Sequence, residues 1–187
     1  LDNITDITKY LNTDIYTCKA CNLYEKRTQV VIGNGNPDAS IMLIEGPPCE
    51  AEDEMGISFI GPSGKLLSKA LLKVGIHRSQ IYVSNCIKCR PPSNREPKSN
   101  EMEACLPWLR SEVTSVQPKI IATVGPFATN VFLDKVDLDK VHGKLHKYED
   151  LLIFPIYHPN YVLKNMGSQV EVDFYKDINQ LSLEGDK

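Results

Sequence analysis

Seven side chains carry most of the chemistry in this sequence. Cys18 and Cys21, two residues apart, are spaced to clasp one metal or cluster, and Cys89 and Cys105 bring the set to four. Four thiolates are the ligand complement of either a structural zinc or a 4Fe-4S cluster. A zinc ribbon usually shows two close pairs. Here only the first pair is close, which leans towards a cluster. Of the other two thiols, Cys86 reads as a buried small residue, and Cys49 lies in an acidic loop with no nearby base to make it a nucleophile. Glu45, Asn85 and His158 each stand at the end of a short apolar run, where open α/β sheets build ligand sites. The stretch 85–92, NCIKCRPP, joins such an amide to a thiol, two cations and a double proline that ends regular structure.

These residues need a scaffold that brings strand ends together. Runs 40–45, 80–84, 119–124 and 151–157 read as buried strands, the last interrupted by Pro155. Helical spacing recurs over 63–74, 97–114, 125–133 and 169–181, with a further short amphipathic helix expected within 1–16. Residues 22–37 read as an irregular connector, 134–148 as a loop with a short hairpin element near Gly143, and 50–54 as a mostly solvated acidic loop. Strands alternating with helices imply a mostly parallel sheet covered on both faces.

The 187 residues suit one well-buried domain, expected over 1–187. An apolar fraction of 42% and a charged fraction of 24% are ordinary for a globular protein, and no run approaches the length of a membrane span. Without a signal-like start, the expectation is an intracellular protein, in cytoplasm or nucleoid, and a monomer. A net charge of −3 argues against a general basic coat and is silent about a local cationic face. Lys88, Arg90 and Arg95, beside Asn85 and the thiol loop, are placed to hold phosphates.

Five signals in order then coincide: CKAC, IEGPP followed by ED and SFIGPSG, NCIKCRPP with NR, Cys105, and HPNYVLK. This ordering resembles the family 4, iron-sulfur uracil-DNA glycosylases over nearly the whole chain. The resemblance implies a three-layer α/β/α fold around a four-stranded, mostly parallel sheet, with a 4Fe-4S cluster on Cys18, Cys21, Cys89 and Cys105. It further implies that Phe59 stacks on an extruded uracil, that Asn85 reads its Watson-Crick edge, and that Glu45 and His158 are catalytic, with Gly46 backbone assisting. Tyr161 and Lys164, in HPNYVLK, join the expected DNA contacts. The family's Gly-Glu-x-Pro-Gly is matched by Ile44-Glu45-Gly46-Pro47-Pro48, so two glycines are replaced, and the loop to Glu52 and Asp53 is one residue longer.

The expected activity is removal of uracil from single- or double-stranded DNA, leaving an abasic site. The alternatives are a nucleic-acid-binding protein of the same fold with little or no cleavage, a glycosylase for another deaminated base, and, on the thiols alone, an electron-transfer or zinc-structural protein.

Overall fold

The computed structural model describes residues 15–185. The helix expected within 1–16 lies almost wholly outside the described residues, and Ile15–Thr17 is a single 3-10 turn. The strands are β1 (Asn34–Gly35), β2 (Ile41–Glu45), β3 (Tyr82–Asn85), β4 (Ile120–Val124), β5 (His146–Tyr148) and β6 (Leu151–Ile156). The helices are α1 (Glu50–Met55), α2 (Gly61–Lys73), α3 (Ser99–Val116), α4 (Gly125–Phe132), α5 (Leu138–Val141), α6 (Pro159–Lys164) and α7 (Gln169–Gly185).

One sheet runs β1-β3-β2-β4-β6-β5. Its four inner strands, β3, β2, β4 and β6, are parallel, and the two short outer strands are antiparallel to their neighbours. The expected four-stranded parallel core is therefore extended by two edge strands, one formed by Asn34 and Gly35 in the supposed connector. A two-residue strand carries no readable periodicity.

Alternation along each strand sorts the core into two layers. Ile41, Leu43, Ala122, Val124, Phe154 and Ile156 face Leu67 and Leu71 of α2, Val162 of α6 and Phe174, Ile178 and Leu181 of α7. Met42, Ile44, Tyr82, Ile121 and Ile153 face Leu109 and Val116 of α3 and Ala128 and Phe132 of α4. Parallel strands buried on both faces bring all their carboxyl ends to one edge, so Glu45, Asn85, Val124 and the segment after Ile156 converge there. Pro155 is tolerated because β5 pairs only with residues 151–153 of β6, and beyond them the Pro155 carbonyl accepts the Gly143 N–H at 2.9 Å with no ladder donor asked of the proline.

α1 departs from the sequence reading. Glu50, Ala51 and Glu54 are exposed, as a solvated acidic loop would be, but Glu52 and Asp53 are buried. Both oxygens of Asp53 accept the Thr28 N–H, at 3.0 and 2.9 Å, tying the helix to the chain beside the thiol segment. A helix whose inward face is two carboxylates has no apolar stripe to betray it.

Candidate active site and thiol centre

Glu45 and Asn85 end adjacent parallel strands in direct register. The Asn85 amide donates to Glu45 Oε1 at 3.0 Å and to the Gly46 carbonyl at 3.1 Å, and its Oδ1 accepts the Ser58 hydroxyl. Asn85 and Ser58 are buried, so these bonds fix which end of the amide faces which way. Both amide hydrogens are committed, and presenting them to a base edge requires one bond to be exchanged. Ser58 was not singled out in the sequence, where a lone serine beside Phe59 carries no signal.

His158 enters from the far side as the N-cap of α6. Its Nδ1 accepts the Asn160 N–H at 3.1 Å, which leaves Nε2 as the protonated nitrogen of the neutral ring, and Nε2 stands 3.6 Å from Glu45 Oε2. Burial lowers the His158 pKa, keeping the ring neutral. Gly125, at φ 84, lies against it so closely that a Cβ would stand 2.9 Å from the His158 Cβ.

Glu45 is 5% exposed, and burial, then the negative charge of Glu52, hold its pKa well above the ordinary carboxylate range. Phe59 is half-buried against the core layer that includes Leu67 and Leu71, at φ 57, with its N–H donated to Glu52 Oε1 at 2.6 Å. The replaced glycines of the first motif cost this loop nothing in backbone geometry. Ile44 is a fully buried core residue of β2, and no residue from 44 to 55 adopts positive φ.

Of the expected phosphate contacts, Lys88 is corrected. It is 1% exposed, and its Nζ donates to Glu112 Oε2 at 2.5 Å, Ser84 Oγ at 2.5 Å and the Asn85 carbonyl at 2.9 Å. Sequence neighbourhood suggested a surface cation, but the carboxylate that buries it comes from α3, far along the chain. Arg90 reaches the surface and pairs with Glu50 at 3.0 Å, while Arg95 grips both oxygens of Glu101 at 2.8 and 2.6 Å. Tyr161 and Lys164 are exposed on α6, next to His158.

Cys18, Cys21, Cys89 and Cys105 line one cavity with Ile15, Arg27 and Trp108. All six cysteines are free thiols, and Cys86 is buried core beside Met42 and Ile44. Arg27 Nη1 donates to Cys89 Sγ at 3.1 Å and the Lys88 N–H to Cys105 Sγ at 3.3 Å. Donors aimed at sulphur are what a thiolate-bound metal group requires around it. Among the described residues no group of three or more His, Cys, Asp or Glu side chains is arranged to hold a single metal ion. No described helix is long and apolar enough to cross a membrane.

Residues 32–181 match the family described as the uracil DNA glycosylase superfamily. A type-4 uracil-DNA glycosylase of Sulfurisphaera tokodaii is 36% identical, the alignment covering 95% of this chain and 86% of that protein. One from Thermotoga maritima is 34% identical over 94% of this chain and 93% of its own, and one from Saccharolobus solfataricus 36% identical over 90% and 84%. Matched by that family over residues 32–181 and aligned at 34–36% identity over nine-tenths or more of its length with these relatives, this chain belongs to the uracil DNA glycosylase superfamily, among its type-4 members.

Proposed function

We propose that the protein is a DNA-repair glycosylase that extrudes uracil from DNA and hydrolyses its N-glycosidic bond, leaving an abasic site. The observation that carries this is the meeting of Glu45, Asn85 and His158 at one sheet edge, with the Asn85 amide 3.0 Å and His158 Nε2 3.6 Å from the same carboxylate.

The reacting carbon is unreachable inside a duplex, so the nucleotide must leave the stack, and Phe59 offers it a stacking face. Asn85, with its polarity pinned by Ser58, pairs with the uracil edge and rejects cytosine, whose donor would face the Asn85 donor. As the bond between sugar and base breaks, the sugar gains positive and the base negative charge. Ionised Glu45 stabilises the sugar and orients water for attack on its anomeric carbon. The Nε2–H of neutral His158 donates to the uracil O2 as charge gathers there. Water supplies the hydroxyl of the abasic sugar, and its proton leaves through Glu45 or solvent.

Cys18, Cys21, Cys89 and Cys105 would hold a 4Fe-4S cluster. When bound, the cluster cross-links the segment at 18–21 to α3 and the loop after Asn85, a structural role in which it does not touch the substrate. Arg90, Arg95, Tyr161 and Lys164 would meet the DNA backbone, the two arginines after exchanging a carboxylate for a phosphate. The whole chain acts as one domain and as a monomer.

The test is incubation with oligonucleotides carrying a single uracil, single- and double-stranded, followed by alkali. Cleavage at the uracil position is expected. Intact oligonucleotide with measurable binding would instead favour a binding protein of the same fold.

A further inference from the structure

The end of β3 has a strand beside it on one side only. The N–H and C=O of one peptide point in opposite directions across a strand. In the peptide joining Asn85 to Cys86, the N–H donates to the Glu45 carbonyl of β2 at 2.8 Å, so the Asn85 carbonyl turns towards the β1 side. There β1 pairs only with Tyr82 and Val83, two residues short of Asn85. A buried carbonyl in that position needs a donor from elsewhere.

The donor is Lys88. Its Nζ lies 2.9 Å from the Asn85 carbonyl oxygen and 2.5 Å from both Ser84 Oγ and Glu112 Oε2, with the side chain 1% exposed. Three ammonium hydrogens meet three acceptors, which leaves the group no other direction to point. The main chain of Lys88 is fixed as firmly. Its N–H donates to Cys105 Sγ at 3.3 Å and its carbonyl accepts the Val31 N–H at 2.8 Å. Glu112, on α3 with Cys105, is held in turn by the Gly33 N–H and the Ser84 hydroxyl.

Stability alone does not call for such a pair, since well-packed apolar residues of similar volume often serve a dry interior as well or better. Apolar residues cannot, however, donate to the Asn85 carbonyl.

We propose that Lys88 is a positioning residue for base recognition: its ammonium supplies the donor that β1 no longer offers and holds the Asn85 peptide in register with Glu45. Glu112 positions Lys88 in turn. The proposal rests on the glycosylase reading. The peptide that carries the base-reading amide is then fastened on both sides, by the Glu45 carbonyl and by Lys88, which fixes the offset between the reading residue and the catalytic carboxylate.

Lys88→Met alone strands the Glu112 charge, so the informative variant combines it with Glu112→Gln. The glutamine still offers an oxygen to the Gly33 N–H, and no buried charge is left; a melting curve establishes that the variant folds. Its kcat/KM for uracil in a single-stranded oligonucleotide is expected to fall about 10- to 100-fold, as a small misplacement of a binding group does. In an Asn85→Ala background the same two changes are expected to cost less than about twofold, because a residue that acts through the Asn85 side chain has nothing left to position. Equal losses in the two backgrounds, or no loss in either, overturn the proposal.

Amide hydrogen exchange without DNA reads the same link independently of turnover. In the combined variant the Cys86 N–H is expected to exchange about tenfold faster or more, while the Ile121 and Ala122 amides of β4 follow only the change in global stability. A change that is uniform over Cys86 and β4 belongs to a purely structural pair and overturns the proposal. Selectively faster Cys86 exchange, with no uracil release from the parent protein, would instead remove the glycosylase reading and leave Lys88 as the support of the Asn85 peptide.

Discussion

Lys88 Nζ and Glu112 Oε2 lie 2.5 Å apart with neither side chain reaching solvent. Glu112 also accepts the Gly33 N–H at 2.9 Å and the Ser84 hydroxyl at 2.6 Å, while Lys88 donates to the Asn85 carbonyl. The pair thus ties α3 to the end of β3, directly at the Asn85 backbone.

Removing one partner leaves the other charge buried. Lys88→Met and Glu112→Leu are each expected to destabilise the protein by about 3–5 kcal/mol in urea unfolding. The double replacement should cost less than the sum of the two, since no charge is then stranded. The salt dependence of DNA binding should be unchanged in Lys88→Met, because this cation meets no phosphate.

Asn85 should carry base discrimination. Asn85→Ala is expected to lower kcat/KM for uracil by about 5- to 150-fold, the range of 1–3 kcal/mol for an unmade buried hydrogen bond. Ser58→Ala frees the amide to rotate, and the ratio of uracil to cytosine release in competition assays should fall while the uracil rate changes less.

Glu45 and His158 predict opposite stability slopes with pH. Glu45 has a folded pKa raised above its unfolded value, so its contribution is present below the ordinary carboxylate range and is lost as pH rises through the folded value. Glu45→Gln should therefore melt above the parent protein, by a margin that grows with pH, at about 2–4 °C per kcal/mol, and should lose activity. His158 is depressed, so its contribution is present above 6.5 and is lost as pH falls through its folded value. His158→Gln should flatten that acid slope in melting curves.

Gly125→Ala tests the support beneath His158. A Cβ there meets the His158 Cβ at 2.9 Å on a backbone with φ 84, a strain of about 1–2 kcal/mol before the histidine moves. The expected result is a fall in kcat with little change in KM, because the ring shifts away from the leaving base while Phe59 and Asn85 are untouched.

Loss of the metal group should loosen one region first. Purified protein is expected to contain about four irons per chain and to absorb broadly in the visible. Cys89→Ala should lose that absorbance, melt earlier, and show faster hydrogen exchange around residues 18–27 and the loop after Asn85, where Arg27 bonds the Cys89 sulphur. Stoichiometric zinc in place of iron would overturn the cluster assignment.

Much of the scaffold was legible because its signals are local. β2 and β4 are uninterrupted apolar runs, α2 shows helical spacing from Leu66 to Leu71 between Pro62 and Gly75, and the thiols of Cys18, Cys21, Cys89 and Cys105 are visible as letters. Glu45, Asn85 and His158 could be picked out because each follows such a run. Environment was not legible. Lys88 looks like a surface cation until Glu112 is folded over it, Glu52 and Asp53 look solvated until the N–H groups of Phe59, Cys49 and Thr28 converge on them, and Ser58 gains meaning only against Asn85. Sequence by itself determined which groups the site has and which strands deliver them, since periodicity and spacing act between neighbours along the chain. Only the tertiary structure decided which charges are buried, paired or protonated, because desolvation and Coulomb energy depend on distances through space between residues the chain holds far apart.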